Sequence, residues 1–102
     1  MSSSFPIVEF VWTYNASEEY IQILEYLEKK WSLRVANKFV QDVDEKLELL
    51  LTNYYTFQKV EEKKVQKFLI NKHITLFYLV EGKKIVLLHF WNNSQDPNKL
   101  SL

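Results

Sequence analysis

The chain has 102 residues, as many acidic as basic side chains, and no cysteine. This length predicts one domain, residues 1–102, that can bury a core without a metal or a disulfide. The lack of cysteine excludes disulfides, cysteine-ligated zinc and thiol catalysis, and it fits the reducing cytoplasm. We expect no signal peptide in "MSSSF", and the longest apolar run, "IVLLHFW", is too short to span a membrane.

The charges are unevenly distributed although the net charge is zero. Residues 1–58 carry nine acids and five bases, whereas residues 59–102 carry four acids and eight bases. Two interpretations of this split are equally acceptable. The charges either form an ordinary solvated surface, or they give a basic C-terminal half that meets phosphates or an acidic partner. Zero net charge argues against strong non-specific binding to nucleic acid.

The first predicted elements are a strand, "PIVEFVWT", and an amphipathic helix. Asn15 is a candidate N-cap because Glu18 follows at the capping-box position. The helix has an apolar stripe at helical spacing: Ala16, Tyr20, Ile23, Leu24, Leu27 and Trp31.

A second helix is predicted from about Leu33 to Asn53, with Ser32 as its cap. Its apolar stripe consists of Ala36, Phe39, Val40, Val43, Leu47, Leu50 and Leu51. The link between the helices is so short that they must form an antiparallel hairpin. The following "NYYTFQKVEEKK" is predicted to be a loop.

Three strand candidates follow: "KVQKFLI", "HITLFYLV" and "KKIVLLHFW". Turn residues separate them at Asn71-Lys72 and Glu81-Gly82. The order β-α-α-β-β-β predicts an α+β fold, in which the N-terminal helical hairpin packs on one face of an antiparallel sheet.

Alternation along the last three strands divides their residues between two faces. One set is almost wholly apolar and is expected to face the helices: Phe68, Ile70, Ile74, Leu76, Tyr78, Val80, Val86, Leu88 and Phe90. The other set forms a mixed open face: Lys67, Leu69, His73, Thr75, Phe77, Leu79, Ile85, Leu87, His89 and Trp91.

The register of these strands decides which open-face residues meet. The simplest register leaves Glu81, Gly82 and Lys83 as the loop and pairs Thr75 with His89. It predicts that four residues converge on the open face: Lys67, Thr75, His89 and Trp91.

Several segments resemble the RelE/ParE family of toxin proteins. They are the strand ending in "WT", the "ASEE" helix start, "ILEYLEKKW", "VANKFVQDVDEKLELL", "INKHITLFYLV" and "IVLLHFWNNSQDPNKL". The resemblance extends from about Val8 to Leu100, and "KHITLFYLV" followed by "FWNNSQDP" is its most specific part.

This resemblance implies the toxin of a type II toxin–antitoxin pair, neutralised by a cognate antitoxin in a hetero-oligomer. Relatives differ in target, since ParE-like toxins inhibit DNA gyrase whereas RelE-like toxins cut mRNA in the ribosome. ParE-like inhibition is the first hypothesis. An mRNA endonuclease and an inactive member that only binds its antitoxin are the alternatives.

The residues expected of an endonuclease are incomplete. Cleavage through the 2′-hydroxyl needs a base, an acid and cations on the phosphate. Lys67, His89 and Tyr55 are the candidates for these roles. Two arginines common in relatives are replaced, one by Gln66 and Lys67 and the other by Ser94.

The binding candidates lie around the open face and the C-terminal tail. For His89 and Trp91 a structural role is the favoured interpretation, and for the lysine run a solvated one. Two histidines without cysteine show no metal-ligand spacing, so no metal or other cofactor is expected. The predicted binding residues are Lys63, Lys64, Thr75, Trp91, Asn92, Asn93, Ser94 and Gln95.

Overall fold

The computed structural model describes residues 9–57 and 64–94, and for residues 53–57 it describes the backbone alone. It contains β1 (Glu9–Trp12), α1 (Tyr14–Lys30), α2 (Leu33–Phe57), β2 (Gln66–Leu69), β3 (Ile74–Glu81) and β4 (Lys84–Asn92). The strand order in the sheet is β1-β4-β3-β2. The predicted α+β fold, with a helical hairpin between the first strand and the last three, is confirmed.

The sheet is mixed rather than wholly antiparallel. β1 pairs with β4 in parallel, whereas β3 pairs antiparallel with both β2 and β4. The helical hairpin separates β1 from the other strands, so β1 need not run antiparallel to its neighbour as a strand after a tight turn must.

Helix α1 begins earlier than the predicted Asn15 cap. Its N-cap is Thr13, whose Oγ1 accepts a hydrogen bond from the backbone N–H of Ala16 at 3.1 Å. The same hydroxyl donates to the carbonyl of Leu87 in β4 at 2.7 Å. Thr13 therefore caps the helix and also attaches it to the sheet, which Asn15, within the helix, does not do.

The second helix is capped as predicted but is longer than predicted. Ser32 Oγ accepts from the N–H of Val35 at 3.1 Å. The helix continues to Phe57, so the prediction of a loop from Asn53 was wrong for residues 53–57. The sequence from Leu33 to Phe57 contains no glycine or proline, so nothing in it interrupts the helix.

The turns between the strands use the predicted residues. Asn71 Oδ1 accepts from the N–H groups of His73 at 2.8 Å and Ile74 at 3.0 Å. Gly82 has a φ of 62°. This conformation is easy only for glycine, because other residues carry a Cβ atom. Glu81 and Lys84 pair, so the second loop has two residues, Gly82 and Lys83, rather than the predicted three.

A bulge in β4 changes which residues reach the core. Phe77 pairs with His89, but the next residue, Tyr78, pairs with Leu87, so Leu88 is the extra residue. Before the bulge Ile85 and Leu87 are fully buried, and after it Phe90 is buried. The prediction that Val86 and Leu88 face the helices was therefore wrong, because one extra residue reverses the alternation.

The core lies between the helices and one face of the sheet. Phe90 is at its centre, stacked on Trp12 at a centroid distance of 5.4 Å and tilted against Tyr20 at 5.5 Å. Trp31, predicted in the stripe of α1, is 70% exposed instead. The buried cluster consists of Ala16, Phe39, Val43, Leu47, Leu50, Ile70, Ile74, Leu76, Tyr78, Val80, Ile85, Leu87 and Phe90.

Candidate functional site

The open face of the sheet is the face opposite the helices, and it carries two of the predicted residues side by side. Thr75 pairs with Trp91 on one side and Leu69 on the other. The predicted pairing of Thr75 with His89 was wrong, because the shorter loop and the bulge shift β4 by two residues.

Lys67 and His89 do not meet. Each pairs with Phe77, from opposite sides. Two strand spacings of about 4.8 Å each therefore separate their backbones. Lys67 is exposed at the edge of the sheet. The predicted convergence of four residues on the open face is thus replaced by two separate rows.

The His89 side chain is directed to helix α1. It is 9% exposed, and its Nδ1 lies 3.0 Å from Oε2 and 3.2 Å from Oε1 of Glu19. Oε1 of Glu19 also accepts a hydrogen bond from the backbone N–H of Phe90 at 3.0 Å. This carboxylate therefore holds β4 to α1 immediately after the bulge.

The polar residues after β4 form a hydrogen-bonded corner. Thr75 Oγ1 donates to Asn93 Oδ1 at 2.7 Å, and Asn93 Nδ2 donates to the carbonyl of Lys72 at 3.3 Å. Ser94 donates twice to Asn92 Oδ1, from its N–H at 2.9 Å and its hydroxyl at 2.7 Å. Because these side chains already form hydrogen bonds within the corner, fewer of their donors and acceptors are left for a partner.

Three predicted site residues are described incompletely or not at all. Lys63 and Gln95 lie outside the described residues. Tyr55 lies in the last turns of α2, and its side chain is likewise outside the described part. Lys64 is exposed just before β2, and its carbonyl accepts from Gln66 Nε2 at 3.5 Å.

Two clefts lie between α1 and the end of β4, and both are bounded by Tyr26 and Asn92. The first, of about 410 Å³, lies between Glu19 and Trp91. The second, of about 450 Å³, extends past Trp31 to the β2–β3 turn at His73. Tyr26 is 56% exposed and Trp31 is 70% exposed. Aromatic surface is therefore available to a partner along both clefts.

Glu19 and Tyr26 were not predicted as site residues. Glu19 stands three residues after Ala16 and four before Ile23, on the same side of the helix as the apolar stripe. A carboxylate at such a position needs a partner, which was the signal available in the sequence. Tyr26 carries no comparable signal, because an exposed tyrosine on a helix is ordinary.

The charges around the second cleft are mostly paired. Lys38 forms a salt bridge with Asp42 one turn along α2. The hydrogen bond to Asp42 and the charge of that carboxylate raise the pKa of Lys38. Since Lys38 and Asp42 pair with each other, we expect a partner in this cleft to contact mainly its apolar side chains and His73.

The described part of the chain contains neither a group of metal ligands nor a membrane-spanning helix. Within residues 9–57 and 64–94, no three His, Asp or Glu side chains form a group that could hold a metal ion. In the same ranges, no helix combines the length and apolar character needed to cross a membrane.

The fold is shared with a toxin–antitoxin protein of known structure. A solved structure, "Chromosomal ParDE TA system from P. aeruginosa", is similar with a TM-score of 0.68 at 20% identity. The match covers 84% of this chain and 96% of that one. At this identity the likeness shows the arrangement of helices and strands.

The family of the chain follows from its sequence. A family model described as the ParE toxin of the type II toxin-antitoxin system, parDE, matches residues 10–97. No curated protein matches the sequence. Since the family model spans most of the chain, the protein belongs to the ParE toxin family of type II toxin–antitoxin systems.

Proposed function

We propose that this protein inhibits growth by binding DNA gyrase, as ParE-like toxins do, and that a cognate antitoxin neutralises it. The observation that carries the proposal is the ParE family model over residues 10–97. It favours the gyrase-binding branch of the wider RelE/ParE family over the mRNA-cleaving branch.

The geometry of the open face supports the same choice. A nuclease needs its base, acid and phosphate-binding cation around one reacting group. Lys67 and His89 are separated by Phe77, and the His89 ring contacts Glu19 of helix α1. These two side chains are thus poorly placed to act on one phosphate.

Neutralisation by an antitoxin is supported by the apolar surface beside the clefts. Tyr26, Trp31 and Leu33 are all more than half exposed, and all lie on the helical hairpin. Large exposed aromatic groups are enriched where proteins bind one another. A partner that lay along the hairpin would remove this surface from water.

The test is a supercoiling assay with purified gyrase, relaxed plasmid and ATP, at increasing concentrations of the protein. We expect supercoiling to fall as the protein is added. Pre-mixing with the cognate antitoxin is expected to restore it. Unchanged supercoiling at a large molar excess of protein over gyrase would contradict the proposal.

A second assay on the same preparation separates the alternatives. Primer extension on mRNA from a bacterial cell-free translation reaction is expected to show intact message. Discrete ribosome-dependent cuts would instead establish RelE-like chemistry, and Lys67→Ala and His89→Ala would then identify its residues. Harmless over-expression, with neither effect in vitro, would leave an inactive member that binds its antitoxin.

A further inference from the structure

The first cleft contains a carboxylate whose hydrogen-bonding capacity is only partly used. Glu19 lines this cleft, and its side chain is 27% exposed. Two described donors reach it, the Phe90 N–H and His89 Nδ1. An ionised carboxylate offers about four lone-pair sites, so about two of them are left for a ligand.

The walls of the cleft suit a flat cation. Tyr26 provides aromatic surface, and Gln22 provides an amide oxygen that can accept a hydrogen bond. Among the described residues that line the cleft, none is a lysine or an arginine. A partly buried carboxylate gains most from an opposite charge in such a place, because little water screens the pair there.

We propose that this cleft, which we call the Glu19 cleft, binds the guanidinium group of an arginine side chain from the antitoxin. Naming the antitoxin as the source of the arginine rests on the proposed function, whereas the guanidinium chemistry rests on the cleft alone. The planar guanidinium donates to a carboxylate through two parallel N–H groups and stacks on aromatic rings. A lysine ammonium does neither, so the Glu19 cleft discriminates in favour of arginine.

The direct test uses a small probe and needs no antitoxin. Nα-acetyl-arginine amide is titrated into the ¹⁵N-labelled protein, and the Phe90 backbone amide and the Trp91 indole N–H are followed by NMR. We expect saturable shifts at these two positions. The lysine analogue should bind at least about tenfold more weakly, since it makes one charged hydrogen bond in place of two. The neutral citrulline analogue should produce no shift there.

Matched variants identify the group responsible. Glu19→Gln keeps an oxygen that accepts from the Phe90 N–H but removes the charge, and it should weaken probe binding by about tenfold or more. Glu25→Gln, an exposed glutamate of the same helix that does not line the cleft, should bind the probe as the parent protein does. Tyr26→Leu leaves the carboxylate in place and should weaken binding about two- to fivefold, the loss of one cation–π contact.

Several outcomes would overturn the proposal. Equal shifts from the arginine, lysine and citrulline probes would do so, as would undiminished binding to Glu19→Gln. Antitoxin binding to Glu19→Gln with the parent affinity would show that the antitoxin places no arginine there. If the arginine probe binds but the antitoxin forms no complex, the guanidinium site is supported and the proposed neutralisation fails.

Discussion

At the scale of single residues, this protein depends on polar side chains that join helix α1 to strand β4. The Thr13 hydroxyl forms hydrogen bonds with the first turn of α1 and with the carbonyl of Leu87. The Glu19 carboxylate forms hydrogen bonds with the His89 ring and with the Phe90 N–H. Each pair of residues joined in this way across the two elements is about 70 positions apart in the chain. Sequence patterns indicate local neighbours, and they carry no information about such distant partners.

Replacing Thr13 by valine should destabilise the protein, because valine keeps the shape but removes the hydroxyl. The loss of the cap and of the bond to Leu87 should lower the free energy of unfolding by about 1–3 kcal/mol. Urea denaturation followed by circular dichroism measures this. Thr13→Ser keeps the hydroxyl and should lose clearly less, and an equal loss in both variants would contradict the argument.

Burial of tyrosine makes stability depend on alkaline pH. Burial raises the pKa of Tyr78 above its ordinary value of 10.0. The pKa of Tyr20 is also raised, mainly by burial and to a smaller extent by the negative charge of Asp44. The unfolded chain therefore loses these protons at lower pH than the folded one. The stabilisation is complete below about pH 10 and is lost as pH rises through the folded-state pKa values.

Tyr78→Phe should therefore flatten the fall in unfolding free energy above about pH 10. Unfolding by urea at a series of pH values from 8 to 11, roughly the range over which tyrosine titrates, measures the slope. Tyr14→Phe is the matched control, because it removes the hydroxyl of a tyrosine that is 78% exposed. A slope in Tyr78→Phe equal to that of the parent would contradict this assignment.

At the scale of the elements, the bulge at Leu88 decides what β4 presents on each face. The strand has two halves of opposite alternation, with Leu87 buried before the bulge and Phe90 buried after it. A strand as apolar as "KIVLLHFWN" satisfies either alternation, so its residues favour neither one. Phe90 is held inward by the packing of its ring against Tyr20 and Trp12. The hydrogen bond that its backbone N–H donates to Glu19 has the same effect.

The bulge can be tested with two neighbouring leucines. Leu87 is fully buried, whereas Leu88 is only partly buried. Leu87→Ala should cost about 2–5 kcal/mol of unfolding free energy, because it empties space in the core. Leu88→Ala should cost clearly less. If β4 had no bulge, Leu88 would face the core and its replacement would be the more destabilising of the two. Denaturation of the two variants side by side therefore tests whether the bulge is present.

At the scale of the whole molecule, most of the large apolar side chains that are exposed among the described residues lie on the helical hairpin, which adjoins both clefts. The predicted binding residues lie on the open sheet face and the tail, and their role in binding stays a prediction. Trp31, assigned to the apolar stripe, is exposed because α1 ends at Lys30 and the chain turns there. The second cleft therefore contains an aromatic side chain, Trp31, that the stripe pattern had assigned to the core.

Trp31→Ala should weaken antitoxin binding without unfolding the protein. The Trp31 side chain is 70% exposed. Its removal should change the free energy of unfolding by no more than about 0.5 kcal/mol, as is usual for surface residues. The loss of an aromatic anchor at an interface should weaken affinity about tenfold or more, which corresponds to about 1.4 kcal/mol.

Calorimetry with the antitoxin measures this change in affinity. Ile21→Ala is the control, because Ile21 is exposed on helix α1 but lies outside both clefts. Equal losses of affinity in the two variants would contradict a role for the second cleft.

The sequence by itself determined the order of the elements, the helical hairpin, the Ser32 cap, the turns at Asn71 and Gly82, and the family. These follow from local backbone preferences and apolar periodicity, which act over a few residues. Only the tertiary structure decided the parallel pairing of β1, the bulge at Leu88, the inward position of His89 and the Glu19 cleft. Each of these depends on a contact between residues far apart in the chain, where packing and hydrogen bonding override alternation.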